Sequence, residues 1–124
     1  MDTQIRTIVL IPRYSTYVGA RTYFTVPLNV REFAYAHVNC WRGDGLGSSS
    51  PTIALQLQAS TDLQIWDDIG SAFGSSAGES QQVVTFTKDW LRFAVTLTGV
   101  DPAFPCWSVG EFATRTPSDA GGGR

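Results

Sequence analysis

The sequence predicts an all-β protein, an antiparallel β-sandwich of the jelly-roll type with about eight strands and extended terminal segments. Short runs rich in Val, Ile, Thr and aromatic residues recur along the 124 residues, bounded by Gly, Pro, Asp and Ser. Two of these runs alternate apolar and polar residues, which is the period of a half-buried strand. No segment is assigned to a helix, so we expect a sandwich rather than a parallel sheet.

Eight segments have these strand signals, separated by loops rich in Gly, Ser and Pro. The segments are residues 6–11, 22–28, 33–42, 53–60, 65–69, 82–87, 91–98 and 104–114. The first is expected to end at Pro12 and to be followed by an aromatic loop at residues 14–20. Pro27 lies inside the second and indicates a sheet edge or a bulge, because proline has no amide hydrogen to donate.

The third segment, residues 33–42, is ambiguous. Its larger side chains also fall at helical spacing, and Ala34 and Ala36 suit a helix. The run from Val38 to Trp41 is typical of a strand, and a Gly/Ser-rich loop is predicted at residues 43–51 after it. We therefore assign the segment to a strand.

The clearest signals lie in the second half of the chain. Residues 53–60 and residues 91–98 each alternate an apolar with a more polar residue. Each is expected to form a strand with one buried face, and the two buried faces should share a core. The sequence Ser60-Thr61-Asp62 predicts a turn, because short polar side chains bond to nearby backbone amides, and the hairpin returns through Trp66.

The length fits one domain, residues 1–115, followed by a polar tail at residues 116–124 that a partner is expected to hold. Charged residues make up only 16% of the chain, and four Trp, four Tyr and seven Phe make it rich in aromatics, which favours contact with neighbours. The net charge of −2 and the scattered Lys and Arg argue against nucleic-acid binding. No apolar run is long enough for a membrane span or a signal-peptide core, so we expect the protein to be made and kept in a cytosol.

No catalytic, cofactor or metal site is predicted, and the chain is not expected to be an enzyme. The single histidine, His37, lies inside a predicted strand without a Gly-x-Ser-x-Gly motif, so a structural role is preferred. Asp67 and Asp68 are adjacent, and adjacent strand residues point to opposite faces, which favours a solvated hairpin end over calcium ligation. The tripeptide Arg42-Gly43-Asp44 is attributed to chance, and the glycines at residues 43–47 lack the dinucleotide pattern.

The two cysteines, Cys40 and Cys106, are each followed by Trp. Two cysteines are too few for a four-cysteine metal site or a disulfide scaffold. Two buried, reduced thiols are the preferred interpretation, since free cysteine is often buried, and a disulfide is the alternative.

The tyrosines and tryptophans are too many for so small a core, and some are expected to contact a partner. Trp and Tyr dominate protein interfaces and also stack on sugar rings, so both kinds of partner are open. The residues assigned to partner contacts are Tyr14, Tyr17, Trp41, Trp66, Thr116, Pro117 and Arg124.

Residues 53–66 and 90–98 resemble a pattern of galactose-binding-like (discoidin-like) jelly rolls, in which a strand ends in Ser-x-Asp-Gly and turns into a Trp strand. Ser60, Asp62, Trp66 and Arg92 match that pattern, and Leu63 stands where glycine is usual. The resemblance covers residues 52–114. The chain is also similar to small jelly-roll virion proteins of tailed bacteriophages.

The second resemblance implies a structural virion protein, made in the host cytoplasm, that serves as a capsid decoration or a head or tail accessory subunit. Its partners would be the major capsid protein or neighbouring copies of itself, in a homo-oligomer or a large assembly. The alternative is a carbohydrate- or receptor-binding module of a phage fibre. A fold resemblance by itself does not decide between these functions.

Overall fold

The computed structural model describes residues 4–115, and every regular element in that range is a β-strand. The strands are β1 (Ile5–Val18), β2 (Thr22–Phe24), β3 (Leu28–Asn29), β4 (Phe33–Arg42), β5 (Leu46–Ser60), β6 (Asp67–Asp68), β7 (Gly78–Thr85) and β8 (Trp90–Thr114). All pairs between them are antiparallel. The predicted eight-stranded antiparallel fold is confirmed, and residues 4–115 contain no helix suited to crossing a bilayer.

The long strand β8 belongs to two layers. Its first half pairs with β5 on one side and with β2 and β3 on the other, whereas its second half pairs with β1 and β4. Gly99 and Asp101 both have positive φ values, +117° and +51°, and they bend the chain between the halves. We call the layer β6-β5-β8-β2/β3 sheet 1 and the layer β1-β8-β4-β7 sheet 2.

The buried faces of the two sheets form one core, as expected from the alternation. In β5 the predicted apolar face is buried, and β5 lies directly beside the first half of β8, with Leu55 opposite Val95. Sheet 2 contributes Phe112, whose ring contacts those of Phe33 and Phe86. The clearest sequence signals therefore identified the centre of the core correctly.

The predicted end of the first strand at Pro12, and the loop after it, are wrong. β1 continues to Val18, because Ser15 pairs with Cys106 and Val18 with Ala103. Proline is tolerated because it lies in a register shift, where the strand lacks the ladder bond that an amide would make. The next predicted strand divides into β2 and β3 with Pro27 between them, and both lie at a sheet edge, as the proline indicated.

Several other boundaries differ from the prediction. Residues 91–98 and 104–114 are not separate strands but one, because β5 also pairs with the bend between them, at Val100 and Ala103. β5 already begins at Leu46, inside the predicted loop at residues 43–51, and two register shifts accommodate its glycines and serines. The strand predicted at residues 65–69 pairs only at Asp67–Asp68. The strand assignment of residues 33–42 is confirmed.

Cys40 and Cys106 are buried free thiols on the inner face of sheet 2, in agreement with the preferred interpretation. The Cys40 thiol donates to Ser108 Oγ at 3.3 Å. Burial raises the pKa of Cys40 to about 12 and that of Cys106 to about 11. Neither thiol is a nucleophile at neutral pH, because only the thiolate reacts.

The raised thiol pKa values predict that stability falls in alkaline solution. Unfolding returns both thiols to an ordinary pKa of 9.0, so between pH 9 and pH 11 the native state binds more protons than the unfolded state. The free energy of unfolding should therefore be insensitive to these thiols below pH 9 and decrease as the pH rises above it. Urea titrations across this range should show a shallower decrease for the double variant Cys40→Ala/Cys106→Ala; an equally steep decrease would contradict the assignment.

Candidate functional site

A bulge in β1 forms one end of the candidate site. Ile11 pairs with Ser108 and Ser15 with Cys106, so three residues of β1 lie opposite Trp107 alone. Such a bulge bends the strand and redirects its side chains. Tyr14, at its end, is fully exposed and has a φ of +67°, a conformation that costs a bulky residue about 1–3 kcal/mol. Strain of this kind is concentrated at functional sites.

Trp41 and Trp107 lie beside this bulge on the outer face of sheet 2. They are directly paired across β4 and β8, and their rings are nearly parallel, with centroids 6.5 Å apart and planes 14° apart. The Arg13 guanidinium lies 4.7 Å from the Trp107 ring centroid, a cation–π contact. These residues, with Tyr14 and Pro105, line a cavity of about 230 Å³. We call Arg13, Tyr14, Trp41, Pro105 and Trp107 the aromatic platform.

Polar side chains continue the same face beyond the platform. Glu79 of β7 lies opposite Trp41, and its Oε2 accepts a hydrogen bond from Asn39 Nδ2 at 3.3 Å. The other amide atom, Asn39 Oδ1, is buried and has no hydrogen-bond partner within residues 4–115. Next to it lies a hollow of about 300 Å³, whose lining includes Gln81 and Glu111 together with His37, Tyr35, Ile5 and Val109. We call Asn39, Glu79, Gln81 and Glu111 the polar trough.

A different surface lies where β1 faces β2 and β3 across an open edge. Within the described residues β1 pairs with β8 alone, and it is fourteen residues long. A groove of about 480 Å³ separates it from β2 and β3. Its lining is mainly apolar and includes Val26, which is 88% exposed, together with Val9 and Phe24. We call this surface the edge groove.

Most residues that match the galactose-binding-like pattern have structural roles. The amide of Leu63 donates to Ser60 Oγ, and the amides of Gln64 and Ile65 donate to Asp62 Oδ1, at 2.9, 2.9 and 3.0 Å. The hydrogen bonds from the amides of Ile65 and Gln64 hold the pKa of Asp62 below its usual value. Leu63 has a φ of +64°, the conformation that the usual glycine adopts freely. The matched residues therefore build the turn between β5 and β6.

Arg92, the last matched residue, lies between two aromatic rings on sheet 1. Its guanidinium is 4.0 Å from the Phe24 ring centroid and 4.1 Å from that of Trp66. Arg92 Nε also donates to Gln58 Oε1 at 2.9 Å. Burial by these rings lowers the pKa of Arg92. The Arg92 guanidinium therefore covers one face of the Phe24 ring and one face of the Trp66 ring.

The structure brings together only two of the predicted contact residues, Tyr14 and Trp41. Tyr17 lies in the edge groove, packed on Tyr23 with ring centroids 5.2 Å apart, and Trp66 lies against Arg92 of β8. The other three, Thr116, Pro117 and Arg124, lie outside the described residues. Arg13 and Trp107 were not among the contact residues predicted from the sequence, although Cys106-Trp107 repeats the pair Cys40-Trp41.

The remaining sequence candidates, His37, Asp67 and Asp68, lie on β4 and β6. His37 is exposed, and its ring lies 6.1 Å from that of Tyr35. Asp67 forms an ion pair with Lys88, and Asp68 Oδ1 accepts a hydrogen bond from Gln58 Nε2 at 3.0 Å. Between Gln4 and Arg115, no group of three side chains is placed to hold a metal ion.

The sequence matches no protein-family model and no curated relative. In structure, the chain is similar to VP2 in the crystal structure of the infectious bursal disease virus subviral particle, with a TM-score of 0.60 and 9% identity over 91% of this chain and 33% of that one. A structure of the Gx strain of the same virus gives a TM-score of 0.54 and 9% identity, over 90% and 32%. The CBM22-1 xylan-binding domain of Paenibacillus barcinonensis Xyn10C gives 0.49 and 10% identity, over 92% and 87%.

At such low identity, the similarity to the viral structures shows a shared β-sandwich fold. The chain spans about one third of the length of these viral chains.

Proposed function

We propose that this chain is a non-catalytic structural subunit of a phage-like particle, a capsid decoration or a head or tail accessory protein that binds neighbouring subunits. The observation that carries the proposal is the edge groove. It combines a long strand with one uncovered side and an apolar lining that is exposed at Val9, Phe24 and Val26. The site of action would be the virion, after synthesis in the host cytoplasm.

The physical basis is the cost of leaving such an edge uncovered. An edge strand presents unpaired amides and carbonyls, and soluble monomers usually protect it with charges, prolines or covering loops. Pro12 and the bulge protect only the middle of β1. Nearer the start of the strand, Ile5 and Val9 are exposed apolar side chains. A neighbouring subunit that adds an extended segment would satisfy the backbone and bury the apolar side chains, at about 25 cal/mol per Å² of apolar area.

The similarity to VP2 supports the proposal at the level of the fold. That protein was solved as a subviral particle, so the β-sandwich shared with it is compatible with assembly into a shell. In this chain the partner would be the major capsid protein or a second copy of the chain. Binding would oppose expansion or rupture of the shell, because only the assembled state gains the contact energy.

Charge placed in the edge groove should abolish assembly without unfolding the protein. In the variant Val9→Lys/Val26→Lys, both replaced side chains are exposed, so the midpoint of thermal unfolding should stay within a few degrees of the original. Burying two ammonium groups against an apolar partner should reduce occupancy on purified particles by about tenfold or more. Quantitative mass spectrometry of the particles measures this.

The matched control is Val100→Lys, a valine at the bend of β8 that is about as exposed as Val9, 52% against 58%, and lies away from the groove. Its occupancy should equal that of the original chain. If the double variant is incorporated as well as this control, the edge groove is not the assembly surface.

A carbohydrate-binding role is the second candidate, and a separate surface favours it. The aromatic platform and the polar trough lie on the outer face of sheet 2 rather than at the edge groove.

A further inference from the structure

We propose that the outer face of sheet 2 is a binding site for a neutral oligosaccharide, with one sugar ring on the aromatic platform and the next above the polar trough. The site is independent of the assembly role, since it uses different side chains. It would allow a particle subunit to hold the surface glycan of a cell.

The platform has the shape and chemistry of a surface on which a sugar ring packs. A sugar ring presents C–H groups on its faces, and these pack on the electron-rich faces of aromatic rings. Trp41 and Trp107 supply two nearly parallel, half-buried rings beside the 230 Å³ cavity, whose lining includes Tyr14. The Arg13 guanidinium covers one face of Trp107, so a sugar would pack on the ring surface that remains exposed. Tyr14 has a strained backbone conformation, and because its side chain is fully exposed, no contact with the core compensates for that strain. A ligand on the platform would contact that side chain.

The polar trough supplies hydrogen-bond acceptors beside the rings of the platform. Sugar hydroxyls donate readily, and the trough offers the carboxylates of Glu79 and Glu111 and the amides of Asn39 and Gln81. Asn39 Oδ1 is a buried acceptor without a partner among residues 4–115, a state that costs about 1–3 kcal/mol. A ligand hydroxyl reaching it, after a small shift of the side chain, would remove that cost.

The platform and the polar trough follow one another along β4. Trp41 and Asn39 are two residues apart on β4, so they lie on the same face at about 6.7 Å along the strand. That distance is of the order of one pyranose unit. An extended oligosaccharide that runs along β4 would therefore place successive rings over the platform and the trough.

The charge of the face identifies the ligand class. Glu79 and Glu111 are exposed carboxylates, whereas the cation Arg13 already stacks on Trp107. An acidic sugar would meet two like charges, so a neutral glycan is favoured. A proline-rich peptide also suits aromatic surfaces, but its prolines have no N–H to donate to the carboxylates of Glu79 and Glu111, whereas sugar hydroxyls do donate.

The test begins with the purified chain on an array of neutral gluco-, manno- and galacto-oligosaccharides and of sialylated and uronic-acid glycans. Binding to neutral members, followed by calorimetry with the best of them, is the expected result. Trp107→Ala should weaken that binding by about tenfold or more, because it removes one of the two indole rings of the platform. Glu79→Gln should weaken it less and leave the fold unchanged, since Glu79 is exposed.

The matched control is Trp66→Ala, which removes an indole from the outer face of sheet 1. Its glycan affinity should equal that of the original chain. Tyr14→Ser provides a second variant, which should leave the fold intact because the side chain is fully exposed, and it should also weaken binding. No neutral glycan bound at millimolar concentration, binding of acidic glycans or proline-rich peptides alone, or equal effects of Trp107→Ala and Trp66→Ala would each overturn the proposal. None of these outcomes affects the occupancy test of the edge groove.

Discussion

Replacing Phe112 with alanine should lower the free energy of unfolding by about 3–5 kcal/mol. The side chain is fully buried, and its ring contacts those of Phe33 at 5.2 Å and Phe86 at 5.6 Å between centroids. It also fills the space above Gly110, where a Cβ atom would lie 2.4 Å from the Phe112 ring. Because neighbouring strands cannot collapse into so large a void, most of the lost contact energy should remain lost. Small domains have only about 5–15 kcal/mol in total.

Urea unfolding followed by tryptophan fluorescence measures this loss, since the four tryptophans report on both sheets. Ile65→Ala is the control, because Ile65 is an exposed apolar side chain and its truncation should change the free energy of unfolding by about 0.5 kcal/mol or less. A loss below about 1 kcal/mol for Phe112→Ala would show that the contact between its ring and those of Phe33 and Phe86 contributes little.

The second large effect is expected at Gly47, where β5 passes the bend of β8. Its φ is +123°, and a Cβ atom there would lie 2.8 Å from the carbonyl oxygens of Val100 and Asp101. Gly47→Ala should therefore combine backbone strain with a clash against backbone that cannot rotate away. We expect a loss of about 3 kcal/mol or more in the free energy of unfolding.

Gly78→Ala separates the two contributions. Gly78 has a similar positive φ, +104°, but no atom lies within 4 Å of the position that a Cβ would take. In this variant the free energy of unfolding should fall only by the cost of the backbone strain, about 1 kcal/mol. Thermal or urea unfolding of the two variants gives the comparison. Equal losses would mean that the close approach at the bend does not stabilise the two-layer arrangement.

The two proposed surfaces can operate in the same molecule because they lie on different parts of it. The edge groove lies between β1 and β2–β3, and the platform and trough lie across β1, β8, β4 and β7. β1 contributes to both, because Val9 lines the groove and Arg13 and Tyr14 line the cavity of the platform. A subunit bound to a shell by the groove would therefore keep its platform open to a ligand.

The alternating patterns by themselves determined the centre of the core. Residues 53–60 and 91–98 were recognisable because a strand puts every second side chain on the same face, and that period is visible without any partner strand. The turn at Ser60 and Asp62 was recognisable for a similar reason, since those side chains bond to amides within a few residues. All of these signals are local.

Only the tertiary structure decided the form of β1 and the composition of the site. Pro12 and the tyrosines after it indicated a loop, yet pairing with the distant second half of β8 extends the strand to Val18. The same register leaves Arg13 and Tyr14 opposite Trp107 and places Trp107 beside Trp41. Register between strands far apart in the chain depends on how their buried faces fit together, and no local pattern contains that information.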